Sequence, residues 1–139
     1  MGKYKYEMQV NKPERMDTAS MMALEKISLA PYMQLATDLI GKARHAGGNM
    51  FRHQLDTMSI LIDYGYIDSV LLKASCIHDV IEDVPGFDPN LIIDIDEDGQ
   101  KVYKLVLEVT RKEGQPKSDY LRTIIQSGSQ KAKILKCAD

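Results

Sequence analysis

Apolar positions recur at helical spacing along most of the chain from Asp17 onward. Met21, Leu24, Ile27 and Leu29 predict a first helix after Asp17-Thr18. Pro31 suits a first helical turn and opens a second helix, which carries Met33, Leu35, Ala36, Leu39, Ile40 and Ala43. The run Ala46-Gly47-Gly48-Asn49 stops it. A third helix carries Leu55, Met58, Leu61 and Ile62 and breaks at Gly65. A fourth spans about Asp68 to Asp83 with Val70, Ala74, Ile77 and Ile81 on one stripe, and Pro85-Gly86 ends it. Val102, Leu105, Val106 and Val109 fall at i, i+3, i+4 and i+7, which predicts a further helix. Ahead of it, Asn90 to Asp96 mixes Ile with Asp, and Asp98-Gly99 is a hairpin-type turn. Segment 88–110 is therefore read as a short helix or irregular turn followed by a helix, with a small hairpin near 91–104 as the alternative. Ser118 to Ser127, capped by Ser118, reads as another helix. A last one starts near Ser129 and carries Ala132, Ile134, Leu135 and Ala138. The fold class expected is all-α, a compact bundle of short helices.

Composition narrows this picture. A chain of 139 residues suits one domain. With 44% hydrophobic and 27% charged residues it reads as globular. A net charge of −2 argues against a nucleic-acid partner that needs a broad basic surface. No apolar run reaches the roughly 20 residues of a membrane span. The start, Met1 to Tyr6, has no apolar signal region. The expectation is a cytoplasmic protein with no membrane partner, in which Cys76 and Cys137 are packing residues and Met21, Met22 and the other methionines fill the core. Residues 1–16 are polar and are expected to form an arm ahead of a domain over 17–139.

The chemistry concentrates in His78-Asp79-Val80-Ile81-Glu82-Asp83. On a helix at about 100° per residue, His78, Asp79, Glu82 and Asp83 share one face. Ile77, Val80, Ile81 and Val84 then form the opposite, apolar one. Three acids on one face repel each other, and near a helix C-terminus they also oppose the macrodipole. A solvated acidic face is the plainer reading. A divalent cation relieves both costs, and imidazole with carboxylate suits Mn²⁺, Fe²⁺, Mg²⁺ or Zn²⁺. An adjacent His and Asp do not close a site alone, so further ligands must come from other helices. His53 opens the third helix, and His45 sits at the end of the second. Asp94-Ile95-Asp96-Glu97-Asp98-Gly99 begins like a calcium loop, but its twelfth position would be Leu105 where a bidentate Glu is needed.

The order His53, His78-Asp79, Asp139 resembles the H…HD…D signature of the HD-domain metal-dependent phosphohydrolases. Within that superfamily, His78 to Asp83 resembles the HDxxED motif of the RelA/SpoT-type hydrolase domains, which hydrolyse the alarmone (p)ppGpp. Ala43 to His53 is similar to that family's "AR…G…Y…H" segment, Leu105 to Arg111 to its "LV…VT", and Lys133 to Asp139 to its "ILIKLAD". The resemblance covers roughly residues 30–139. It implies that His53, His78, Asp79 and Asp139 bind one Mn²⁺, other divalent cations being possible. Glu82 and Asp83 would position and activate the attacking water as the catalytic pair. Arg44 would pack against the guanine base, and Asn49 with the glycine turn would line the same pocket mouth. Lys42 joins Arg44 and Arg52 as a cationic candidate for the anionic substrate, with Lys101, Lys104, Arg111 and Lys112 downstream. The sequence departs from the family at Gln54, where Pro usually follows the first ligand His. It departs also at His45, where Lys is frequent, and at Gly47 or Gly48, where serine is common.

The leading expectation is a metal-dependent phosphohydrolase resembling guanosine-3′,5′-bis(diphosphate) 3′-pyrophosphohydrolase. It would release pyrophosphate and GDP or GTP from a small nucleotide. The alternatives are an HD phosphohydrolase acting on another nucleotide, and a nucleotide- or metal-binding module without turnover. Because the fourth proposed ligand, Asp139, is the last residue, the reading also expects the chain to be truncated within its final helix.

Overall fold

The computed structural model describes residues 16–139. The expected arm over residues 1–16 lies, but for Met16, outside the described residues. Within them run nine α-helices: α1 (Thr18–Glu25), α2 (Ala30–Ala36), α3 (Met50–Asp63), α4 (Ser69–Ser75), α5 (Val80–Asp83), α6 (Asn90–Ile93), α7 (Gly99–Glu108), α8 (Lys117–Ser127) and α9 (Gln130–Ala138). A 3₁₀ turn, Thr37–Leu39, follows α2. Among the described residues β pairing is limited to one bridge between Ala43 and Asn49. The fold is an all-α multi-helix bundle, and α6 with the first turn of α7 stands where the hairpin alternative lay.

The bundle is built around α4. Every residue from Leu71 to His78 is buried, because α3, α7 and α9 all pack against this helix. Leu71, Leu72 and Ala74 fill it from α4, Val102, Leu105 and Val106 from α7, and Ala132 and Leu135 from α9. The stripe read from α7 is the stripe that is buried, Val109 included.

The fourth predicted helix, Asp68 to Asp83, is two helices rather than one. The chain tightens after Ser75, with Ile77 N donating to Ala74 O and Val80 N to Ile77 O, both at 3.1 Å. Side chains compete for the backbone here. The Ser75 hydroxyl takes the Leu72 carbonyl at 2.6 Å, and His78 Nδ1 takes the Ser75 carbonyl at 2.8 Å. Such local bonds offer the backbone an alternative to the helical ladder. His78 and Asp79 thus sit in a turn between α4 and α5, and the continuous helical face drawn through His78 to Asp83 does not form.

The second predicted helix is also shorter than expected. It ends at Ala36 and tightens into the 3₁₀ turn, with the Thr37 hydroxyl on the Gln34 carbonyl. Residues 42–50 form a closed turn in which Met50 N donates to Lys42 O and Arg44 N to Gly48 O. Gly47 and Gly48 have φ of 98° and 89°, a region other residues avoid, and they turn the chain back so that Asn49 can cap α3. Three smaller expectations are corrected. The helix at Lys117 begins after Pro116, with no side-chain cap from Ser118. Met21 and Met22 are exposed on α1, a short helix that buries no residue fully. Cys137 is exposed, whereas Cys76 is buried in the core, where burial pushes its thiol up to about 12.

Candidate metal centre

The buried face of α3 explains how a site forms in this bundle. It consists of Met50, His53, Gln54, Thr57 and Leu61, at helical spacing. The stripe predicted from apolar residues alone was Leu55, Met58, Leu61 and Ile62. Of these only Leu61 is fully buried, the rest half-buried at the core edge. The helix therefore turns three polar side chains inward, and buried polar groups must find partners.

Thr57 bonds to the His53 carbonyl within α3, and His53 and Gln54 find partners at the end of α9 and in the 76–79 turn. His53, His78, Asp79 and Asp139 each contribute one ligand atom, and all four atoms lie within 4.8 Å of one another. His53 Nε2 is 2.6 Å from Asp139 Oδ1, 3.3 Å from His78 Nε2 and 3.6 Å from Asp79 Oδ2. His78 Nε2 is 3.1 Å from Asp79 Oδ2 and 3.3 Å from Asp139 Oδ1. Two ligands at ~2.1 Å from an ion and a right angle apart are separated by about 3 Å, so most of these spacings are those of a coordination shell. Two imidazole nitrogens with two carboxylate oxygens also match the donor preferences of a first-row dication.

Three of the four side chains are oriented from behind. His78 Nδ1 bonds to the Ser75 carbonyl, which turns Nε2 toward the cluster. Asp139 divides its carboxylate, Oδ1 toward the two histidines and Oδ2 accepting from Lys136 Nζ at 2.6 Å. Lys136 lies one turn back on α9 and rests 5.2 Å over the Tyr120 ring, while the Tyr120 hydroxyl donates to the Val109 carbonyl. Asp79 is held by Gln54. The charges reinforce one another. Burial disfavours charged His78, but the Asp139 and Asp79 carboxylates outweigh it and raise its pKa to about 10. Burial likewise opposes ionised Asp139, yet His53, His78 and Lys136 hold it far below the usual carboxylate range.

The two acids of α5 face other partners. Asp83 accepts from Lys42 at 3.1 Å, and Lys42 also donates to the Asp83 carbonyl, so these two residues tie α5 to the turn after the 3₁₀ segment. Glu82 lies at the edge of an open groove of roughly 710 Å³ formed with Thr110, Arg111, Lys112 and Gly114, its carboxylate 3.8 Å from Arg111 Nε. Partial burial and the neighbouring Asp79 and Asp83 charges push Glu82 above the ordinary range, against Arg111 and Lys136. On the other flank Arg44, Gly47, Gly48, Asn49, Arg52 and His53 line a small depression of roughly 150 Å³. Arg44 and Asn49 thus line a depression that His53 shares. The Asn49 carboxamide, however, is engaged in the fold, accepting from Phe51 N and Arg52 N and donating to the Ile40 carbonyl. Arg52 pairs with Asp56 on the surface, and His45 is exposed on the turn, outside the cluster.

Sequence reasoning passed over Lys136 and Lys73 and noted Gln54 only as a departure. Lys136 was signalled by its i, i+3 relation to Asp139 on one helix. Lys73 had no local signal, because its partners, Asp96 and Asp98, lie more than twenty residues away. That pairing engages two carboxylates of the calcium-like run, Asp96 and Asp98, each 2.9 Å from the Lys73 ammonium. Compared with protein-family models and with curated proteins, the chain finds no match.

Proposed function

We propose that this protein is a cytoplasmic divalent-metal phosphohydrolase of the HD type, acting on a nucleotide diphosphate ester of the (p)ppGpp kind. The observation that carries the reading is the convergence of His53, His78, Asp79 and Asp139 from α3, the α4–α5 turn and the end of α9. His53, His78, Asp79 and Asp139 would hold a dication, Mn²⁺ being the first choice, which would supply Lewis-acid polarisation of a phosphoryl oxygen and a more acidic water. Glu82, with its raised pKa beside the cluster, is suited to accept a proton from the attacking water. The overall step consumes one water, breaks the 3′ C–O–P ester linkage at phosphorus and yields GDP or GTP with pyrophosphate. Arg44 and Arg52 on one flank and Arg111 and Lys112 on the other supply the positive charge that so anionic a substrate needs next to an acidic cluster. Asp83 acts beside Glu82 through its tie to Lys42, which keeps α5 against the turn.

A second reading, an HD phosphohydrolase for a different nucleotide, draws on the pocket side. His45 and Gln54 depart from the family resembled, and Asn49 spends its carboxamide on the helix cap. The test is a product assay with Mn²⁺, comparing ppGpp with a panel of nucleoside phosphates. Pyrophosphate release from ppGpp, abolished by chelator, is expected. Turnover of panel members alone transfers the assignment to the second reading. Metal binding without turnover of any substrate leaves a non-catalytic nucleotide- or metal-binding module.

A further inference from the structure

Gln54, directly after His53, is completely buried. A buried carboxamide must satisfy both its ends. Both ends of this one are spent largely on a single residue. Oε1 accepts from the Asp79 backbone N–H at 3.1 Å, and Nε2 donates to Asp79 Oδ2 at 2.7 Å, with a longer bond to the Met50 carbonyl at 3.3 Å. Oδ2 is the Asp79 oxygen that faces both imidazoles, 3.1 Å from His78 Nε2 and 3.6 Å from His53 Nε2. The same carboxamide therefore grips the main chain of the turn and the side chain that the turn displays. The tightening of the chain after Ser75 releases the Asp79 N–H from the helical ladder, and without Gln54 that donor would be left unpaired in the interior. Proline, the residue usual here in the family resembled, has neither a side-chain donor nor an acceptor and makes no such grip.

We propose that Gln54 is a positioning residue that locks the Asp79 rotamer and its turn, presents Oδ2 to the cation and so sets the metal affinity of the site. The inference rests on the reading of the cluster as a cation site. Because His53 and Gln54 are neighbours on α3, one rigid helix delivers a ligand and the brace of a second ligand together. A carboxylate with one oxygen pinned in this way loses little rotamer freedom when the ion arrives, and outer hydrogen-bond partners of this sort typically govern 10–100-fold in metal affinity.

The experiment is Mn²⁺ titration followed by calorimetry and by the spin-resonance signal of free Mn²⁺, on the unsubstituted protein and on Gln54→Met and Gln54→Glu. Methionine keeps the length and removes both bonds. Glutamate keeps the acceptor for the Asp79 N–H but sets a carboxylate against Oδ2. Circular dichroism and the melting temperature in chelator monitor the fold. The expected result is a roughly 10–100-fold rise in Kd for Gln54→Met with the helical spectrum retained, and at least as large a rise for Gln54→Glu. Should Gln54→Met fail to fold, the isosteric Gln54→Glu decides the matter in the same titration. An unchanged Kd in the folded variant, even with a lowered melting temperature, makes Gln54 a packing residue and overturns the inference alone. Absence of Mn²⁺ binding by the unsubstituted protein overturns the cation reading of the cluster, and this inference with it.

Discussion

Two buried charge clusters stand within this bundle, and they resolve the same problem differently. At one, Asp96 and Asp98 from the α6–α7 loop close on Lys73 of α4 at 2.9 Å each, with Tyr32 donating to Asp96 and Ser69 to Asp98. At the other, Asp79 and Asp139 close on two imidazoles, and the Lys136 ammonium reaches the outer oxygen of Asp139. The first cluster carries its own central cation, already bonded. The second points imidazole nitrogens and carboxylate oxygens at a common centre, where the compensating charge is a proton on His78 that a dication can displace. Buried carboxylates require a compensating positive charge. Where the chain supplies it the result is a structural clasp, and where the chain supplies ligands instead the site is suited to a dication.

The comparison breaks most visibly if a ligand is removed. His53→Ala or Asp79→Ala is expected to weaken Mn²⁺ binding by more than the roughly 10–100-fold assigned to an outer hydrogen-bond partner, with turnover lost and the helical spectrum kept. Metal titration beside circular dichroism checks this, and retained affinity in either variant would remove that residue from the shell. Glu82→Gln comes next. Removing a positioned proton acceptor lowers kcat by roughly 10²–10⁴ while Mn²⁺ affinity stays unchanged, which steady-state kinetics and titration separate. Lys73→Met addresses the other cluster. It leaves two carboxylates facing each other without their cation and is expected to cost on the order of 3 kcal/mol in denaturant unfolding, with Mn²⁺ affinity of the folded protein unaltered. An affinity loss there would mean that the clasp and the metal centre are coupled through α4.

The last effect is on pH, and it is gradual. In metal-free protein His78 has its pKa raised from 6.5 to about 10 by Asp139 and Asp79 acting against burial. The folded state then binds more protons than the unfolded state between those values, so its contribution to stability is complete below pH 6.5 and fades as pH rises toward 10. Chemical unfolding of the chelated protein should show stability falling across that window, by at most about 1.4 kcal/mol per pH unit for one group. Mn²⁺ affinity should move the opposite way and strengthen with pH, since the ion displaces the proton that His78 holds. Metal-free stability that rises with pH through this window would contradict the arrangement.

Much of the bundle was legible in the chain because local rules agree with the tertiary answer. The α7 stripe of Val102, Leu105, Val106 and Val109 is buried as its spacing requires, and Ser129 caps α9 through Ala132 N. The ligand types were legible too, since a His-Asp step with a distant His and Asp offers a recognisable donor set. What failed was continuity. Helical periodicity runs through Asp68 to Asp83 uninterrupted, yet the chain breaks it at 76–79 because Ser75 and His78 bond to backbone carbonyls and Gln54 claims the Asp79 N–H.

The sequence by itself determined the helical period, the buried stripe of α7 and the identity of the residues able to hold a cation. Only the tertiary structure decided which carboxylates meet an ammonium and which meet imidazoles. Lys73 and Asp98 are 25 positions apart, as are Gln54 and Asp79, and His53 and Asp139 are 86 apart. Propensity and periodicity act over a few residues, whereas charge compensation acts through space, so the clasp and the candidate metal centre become distinguishable only once the helices are packed.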